Sequence, residues 1–146
     1  MSASITMNLP SDIRYVRIAS NTARSVAELF SGENGGEEGK YEEFRNAFEL
    51  AVTEAFSNSV RHGNSPDKGR QIFITFSPEN EGLTASVADT NPAFNPEIPP
   101  PDIFSYPESG YGLLMIRQLM DEIRYSRKDG NNTLTMHKKL KNPHNQ

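Results

Sequence analysis

Residues 5–9, ITMNL, put Ile5, Met7 and Leu9 on one side of an alternating stretch, which predicts a half-buried strand closed by Pro10. The period then lengthens. Ile13, Val16, Ser20, Ala23, Ala27 and Phe30 recur at three- and four-residue steps, the pattern of a helix burying one stripe, with Ser11 or Asp12 as cap and a stop near Gly32. The glycine-rich, acidic SGENGGEEGKYEE reads as a solvated connection whose glutamates approach the start of the next helix, where the dipole favours them. That helix is expected from about Tyr41 to Arg61, ended by Gly63 and Pro66 in HGNSPDKG.

Two strands follow, QIFITF at 71–76 and LTASVAD at 83–89, joined as a hairpin by the turn-rich SPENEG. From Thr90 to Ser109 the periodicity stops. Proline dominates TNPAFNPEIPPPDIFSYPES, and a structureless stretch this long inside a compact domain is usually functional or disordered. GYGLLMIRQLMDEI restores a helix, with Leu113, Ile116, Leu119 and Met120 on one side. IRYSR and NTLTMHKKL around KDGN read as a closing hairpin, and about 141–146, KNPHNQ, as a frayed tail.

The order β, α, α, β, β, loop, α, β, β predicts an α+β fold: a two-layer α/β sandwich with one mixed or antiparallel sheet and helices on one face. The 146 residues suit one domain, 1–146, with one site. A net charge of −4 argues against broad binding to nucleic acid or anionic membranes, which needs a concentrated basic surface. With no cysteine, disulfides, thiolate chemistry and Cys-based zinc sites are excluded. No stretch approaches the apolar length of a membrane span or a signal peptide, so a cytoplasmic protein is expected.

Chemistry enters on the second helix, in ELAVTEAFSNSVRHGN. Phe44, Ala47, Phe48, Ala51 and Ala55 share a face that Glu54, Asn58 and His62 continue, while Val52, Phe56 and Val60 keep a second apolar line. A polar edge beside a buried edge describes a pocket wall. An Asn oxygen is a neutral hard ligand for Mg²⁺, and a Glu one turn away suits water orientation or proton acceptance in phosphoryl transfer. By spacing alone such a triplet is more often a solvated face or a set of helix-stabilising contacts, and a His–Glu transition-metal site is a further reading.

Along LTASVAD, Leu83, Ala85, Val87 and Asp89 share one strand face, so a carboxylate stands where the core-facing row ends. A buried carboxylate needs donors, and a purine's exocyclic amino group is one; a turn-initiating Asp is the plainer alternative. Gly110 and Gly112 precede a helix, where glycine lets backbone amides approach phosphate; a flexible joint explains them equally.

Taken in order, ExxxNxxxHG at Glu54–Gly63, VADTNPAFNP at Val87–Pro96 and SGYGLLMIRQLMDEI at Ser109–Ile123 resemble the N, G1 and G2 boxes of the GHKL ATPase superfamily. The resemblance is greatest to its single-domain branch, the anti-sigma-factor serine/threonine kinases of the RsbW and SpoIIAB type. LPSDIRYVRIASNTARSVAEL also resembles that branch's first strand and helix.

The resemblance implies a Bergerat-type sandwich binding ATP with Mg²⁺ under a lid, about 90–111. It implies Asn58 as the Mg²⁺ ligand, Glu54 as general base toward a protein serine or threonine, and His62 on the phosphate side. It further implies Asp89 as the adenine-recognising group and Thr133 near the adenine. Asn91 and Ala93 of the G1 box and Gly110, Tyr111, Gly112 and Leu113 of the G2 box would complete the nucleotide contacts. The implied partners are an anti-anti-sigma protein of the STAS fold and a sigma factor, and the implied assembly is a homodimer.

One departure stands out. The family's G1 box has glycine where Asn91 stands, and Ala93 replaces a later glycine. Asn tolerates the left-handed backbone better than most residues, so the turn is kept in this reading, with weaker nucleotide affinity as the expected cost. A non-catalytic adaptor that sequesters a regulatory partner is therefore the rival expectation. The ATP-binding domain of a sensor kinase is the poorer one, since only about forty residues precede the second helix.

Overall fold

The computed structural model describes residues 3–33, 41–63, 69–90 and 114–140. Strand β1 (Ile5–Pro10) leads through a 3₁₀ turn, Ile13–Tyr15, into helix α1 (Val16–Glu33); helix α2 (Glu42–Gly63) and strands β2 (Gln71–Glu79) and β3 (Gly82–Asp89) follow. Residues 114–119 form helix α3, and β4 (Glu122–Lys128) and β5 (Asn131–Lys139) complete the order. The expected 90–111 lid falls largely, and the tail wholly, outside the described residues.

Local chemistry explains most of the boundaries. Asp12 accepts the amide of Arg14 at 2.9 Å, capping the entry to α1. α2 carries Glu42 and Glu43 in its first turn and Arg61 and His62 in its last, the arrangement the helix dipole favours at both ends. The first hairpin is tighter than SPENEG suggests: the strands run to Glu79 and from Gly82, leaving Asn80 (φ 48°) and Glu81 (φ 61°) as a two-residue turn. Positive φ at both central positions matches the twist of the flanking strands. The second hairpin repeats the device at Asp129 and Gly130.

α3 stops earlier at its C-terminal end than its sequence pattern. The Asp121 amide already bonds the His137 carbonyl of β5 at 2.9 Å, so sheet pairing claims residues that would otherwise extend the helix to Ile123.

The sheet has the order β1-β2-β3-β5-β4, and every neighbouring pair is antiparallel. Its helix-covered face is apolar, with Ile72, Ile74 and Phe76 of β2, Leu83, Ala85 and Val87 of β3 and Met136 of β5 all buried. Against it lie Ala19, Ala23, Ala27 and Phe30 of α1, Phe48, Ala51, Val52 and Phe56 of α2, and Ile116 of α3. The structure is thus the two-layer α+β sandwich the element order implies.

At the β3–β5 junction, a Cβ on Gly82 would run into the Lys138 carbonyl, so glycine permits this close approach. No helix among the described residues is long and apolar enough to cross a membrane.

Candidate functional site

One row across the sheet changes character from edge to edge. Leu9, Ile72, Asp89, Asn132 and Arg127 are successive cross-strand partners on β1, β2, β3, β5 and β4, so their side chains share the helix-facing side. The row begins apolar and ends charged. Asp89 and Asn132 are nonetheless buried, at 8% and 4% exposure, and burial at that level demands hydrogen-bond partners. The Asn132 amide nitrogen donates to Asp89 Oδ1 at 2.9 Å. Its oxygen accepts from the Tyr125 hydroxyl at 3.0 Å and from Arg127 Nη1 at 2.7 Å. Burial, reinforced by the negative charge of Asp89, pushes the Tyr125 hydroxyl up to about 12.

The second wall is α2. Arg24 of α1 bonds Asn46 (2.6 Å) and Glu49 (3.2 Å) and pairs with Glu42, which fixes the flank of α2 turned toward α1. Glu54 and Asn58 lie roughly 130° round the helix from that flank at 100° per residue, turned away from α1. Glu54 is half-buried and Asn58 is buried. The Asn58 Oδ1 accepts from the Arg61 guanidinium one turn on, whereas its Nδ2 is buried with no partner among the described residues.

His62 joins the two walls. Burial holds its imidazole below the ordinary value of 6.5, with Arg61 acting in the same direction and the carboxylate of Asp89 opposing them. The end of α2 and the end of β3 therefore lie within electrostatic reach of each other.

The sign for stability follows from that shift. The fold prefers neutral His62, whereas the unfolded chain takes up a proton near its ordinary pKa, so the stability is present above about pH 6.5 and lost as pH falls through the lower folded value. Urea unfolding at about pH 7.5 and about pH 5.5 checks this: the His62→Gln variant is expected to lose less stability than the wild type on acidification. An equal loss in both would remove His62 as the source.

Of the residues singled out in sequence, Glu54, Asn58 and His62 share one side of α2, and Asp89 comes up to its end. Thr133 does not join them. It is the partner of Ala88, in the row Asn8, Phe73, Ala88, Thr133 and Ser126 on the opposite side of the sheet. A one-residue offset in a strand reverses the face, and Asn132 occupies the position beside Asp89. Asn91, Ala93, Gly110, Tyr111, Gly112 and Leu113 lie outside the described residues.

Asn132, Tyr125 and Arg127 are the residues that sequence reading misses. Asn132, Leu134 and Met136 alternate as Leu83, Ala85, Val87 and Asp89 do, so the signal that singles out Asp89 was present on β5 as well.

The oxygen of Asn58 is a neutral hard donor, of the kind Mg²⁺ accepts. No group of three or more His, Asp or Glu side chains placed to hold a metal ion exists among the described residues. Mg²⁺ needs few protein ligands, and the Asn58 oxygen is here held by the Arg61 guanidinium, which a bound cation would displace.

The model of the histidine kinase-like ATPase domain family matches residues 9–138. The chain is 30% identical over 135 residues to the serine-protein kinase RsbW of Bacillus subtilis strain 168, covering 86% of this chain and 79% of that protein. It is 26% identical over 135 residues to RsbW of Oceanobacillus iheyensis, covering 86% and 80%. Among solved structures, the RsbU and RsbW domains of a Mycobacterium tuberculosis protein superpose with a TM-score of 0.62 at 20% identity, over 95% of this chain and 33% of that one. At that identity the likeness bears on the fold.

Proposed function

Because this chain belongs to the histidine kinase-like ATPase family, we propose that it is an ATP-dependent serine/threonine protein kinase acting as an anti-sigma factor. Its substrate in this reading is an anti-anti-sigma protein of the STAS fold. The carrying observation is Asn58: a buried amide whose nitrogen has no partner among the described residues, on the helix whose end lies within electrostatic reach of Asp89. A buried polar atom without a partner marks a place where a ligand or water completes the bonding. The serine-protein kinase names of its relatives support the reaction class.

In this reading Asn58 Oδ1 holds Mg²⁺, which when bound neutralises phosphate charge. Asp89 accepts the adenine amino group, with Asn132 rather than Thr133 beside it, and His62 lines the phosphate side. The segment at about 90–111, with Gly110, Tyr111, Gly112 and Leu113, covers the phosphates. The substrate hydroxyl oxygen bonds to the γ-phosphorus as the bond to the ADP oxygen breaks, and Glu54 takes the hydroxyl proton. We place the protein in the cytoplasm as a homodimer, with a sigma factor as its second partner and no direct contact with nucleic acid or membrane.

Calorimetric titration with ATP and Mg²⁺ tests the site. Asn58→Ala is expected to weaken Mg²⁺-dependent ATP binding about 10–100-fold. It is expected to cost only modest stability: the bond of its oxygen to the Arg61 guanidinium is lost, whereas its amide nitrogen has no partner among the described residues. A wild type that takes up no ATP would overturn the kinase reading. It would favour the non-catalytic adaptor that Asn91 and Ala93, standing where the G1 box has glycine, make the second reading.

A further inference from the structure

We propose that Asn132 is a positioning residue that sets the base specificity of this nucleotide site, by keeping Asp89 an acceptor for an exocyclic amino group and so favouring a 6-amino over a 6-oxo purine. The inference rests on the nucleotide reading above and concerns how the base is chosen.

A carboxamide has a donor end and an acceptor end, and its orientation is decided by its neighbours. Arg127 decides it here. A guanidinium has no acceptor, so the Asn132 atom at 2.7 Å from Arg127 Nη1 is the oxygen, and the nitrogen faces Asp89. The Tyr125 hydroxyl, raised well above neutrality and hence protonated, gives the same oxygen a second donor at 3.0 Å. The chain of bonds runs one way, from guanidinium and phenol through the amide to the carboxylate, with every donor pointing toward Asp89.

The cross-strand register makes this possible, because Arg127, Asn132 and Asp89 are in-line partners on β4, β5 and β3. Burial gives it strength: at 4% exposure for Asn132, water competes poorly for either end of the amide, and hydrogen bonds in such surroundings reinforce one another.

The consequence for a purine follows from donors and acceptors. An ionised carboxylate only accepts. A 6-amino group donates to it; a 6-oxo group confronts it with a second acceptor. A donor that holds one carboxylate oxygen in place prevents Asp89 from turning away or recruiting water to bridge to the oxo group. A purely structural Asn132 predicts something different: loss of the side chain would then weaken every nucleotide by the same factor.

The experiment compares ATP with inosine triphosphate, which carries oxygen in place of the 6-amino group, by calorimetry on the full chain with Mg²⁺. The wild type is expected to prefer ATP by about 100-fold or more, as sites built around a substrate N–H reject analogues lacking it. Asn132→Leu is expected to shrink that ratio by about tenfold. Asn132→Thr, which keeps a donor on a strand-compatible side chain, is expected to recover part of it. Tyr125→Phe, which removes one hydroxyl from the edge strand, is expected to shift the ratio in the same direction by less, and it keeps the question open to test if Asn132→Leu fails to fold.

An unchanged ratio in Asn132→Leu, or in Tyr125→Phe where the former does not fold, overturns the inference and leaves the nucleotide site standing. Wild type that binds both nucleotides equally overturns the base-selecting role of Asp89 and with it this inference. Wild type that binds neither overturns the nucleotide reading itself.

Discussion

Glu54→Gln is expected to slow phosphoryl transfer to a serine-bearing STAS partner by about 10²–10⁴-fold, the range that a positioned general base contributes. The substitution keeps the size of the side chain and its half-buried place on α2 while removing its ability to take a proton. Binding is expected to be spared, because the proposed contacts to the cation and the base belong to Asn58 and Asp89. Single-turnover transfer of labelled phosphate, alongside calorimetry of ATP, separates the two. A variant that transfers at the wild-type rate would take Glu54 out of the role of base; one that no longer binds ATP would make it a binding group instead.

Phe48→Ala is expected to cost about 3–5 kcal/mol of stability, a large share of the roughly 5–15 kcal/mol typical of a domain. Phe48 has no exposed surface and meets Phe44 edge-on at 5.0 Å, and Phe44 in turn stacks on Phe30 of α1 at 5.9 Å. Truncation opens a cavity where both helices meet the sheet. The same helix carries Glu54 and Asn58, so its seating decides where the polar edge stands. Denaturant unfolding gives the value directly. A loss below about 1 kcal/mol would mean that the surroundings close over the gap, against a close-packed core at this position.

How far the chain can be read without its structure differs between the two walls of the site. α2 is legible because the polar edge Glu54, Asn58 and His62 and the apolar face beside it are both expressed in the helical period, a property of consecutive residues. Asp89 is legible for the equivalent reason on a strand. Its environment is not: Asn132, Tyr125 and Arg127 lie some forty residues downstream, and only strand order and register bring them to it. Thr133 illustrates the limit. Sequence resemblance points to the right strand, but the two faces of a strand differ by one residue, and the register assigned Asp89 to Asn132. The long SPENEG connector shrinks to Asn80 and Glu81 for a related reason, since pairing between Pro78 and Leu83 and between Glu79 and Gly82 draws the flanking residues into the ladder.

By itself the sequence determined the element types, the apolar stripe of α1 from Val16 onward and that of α2, both hairpins and the polar edge of α2; Ile13, expected on the α1 stripe, lies in the 3₁₀ turn before it and is exposed. Those follow from side-chain period, capping and backbone preferences that act within a few residues. Only the tertiary structure decided that β5 lies between β3 and β4, that the row Leu9, Ile72, Asp89, Asn132 and Arg127 crosses the whole sheet, and that His62 comes within electrostatic reach of Asp89. Such contacts close long loops, and what selects them is the burial of the whole apolar face against α1, α2 and α3, which no local stretch of the chain encodes.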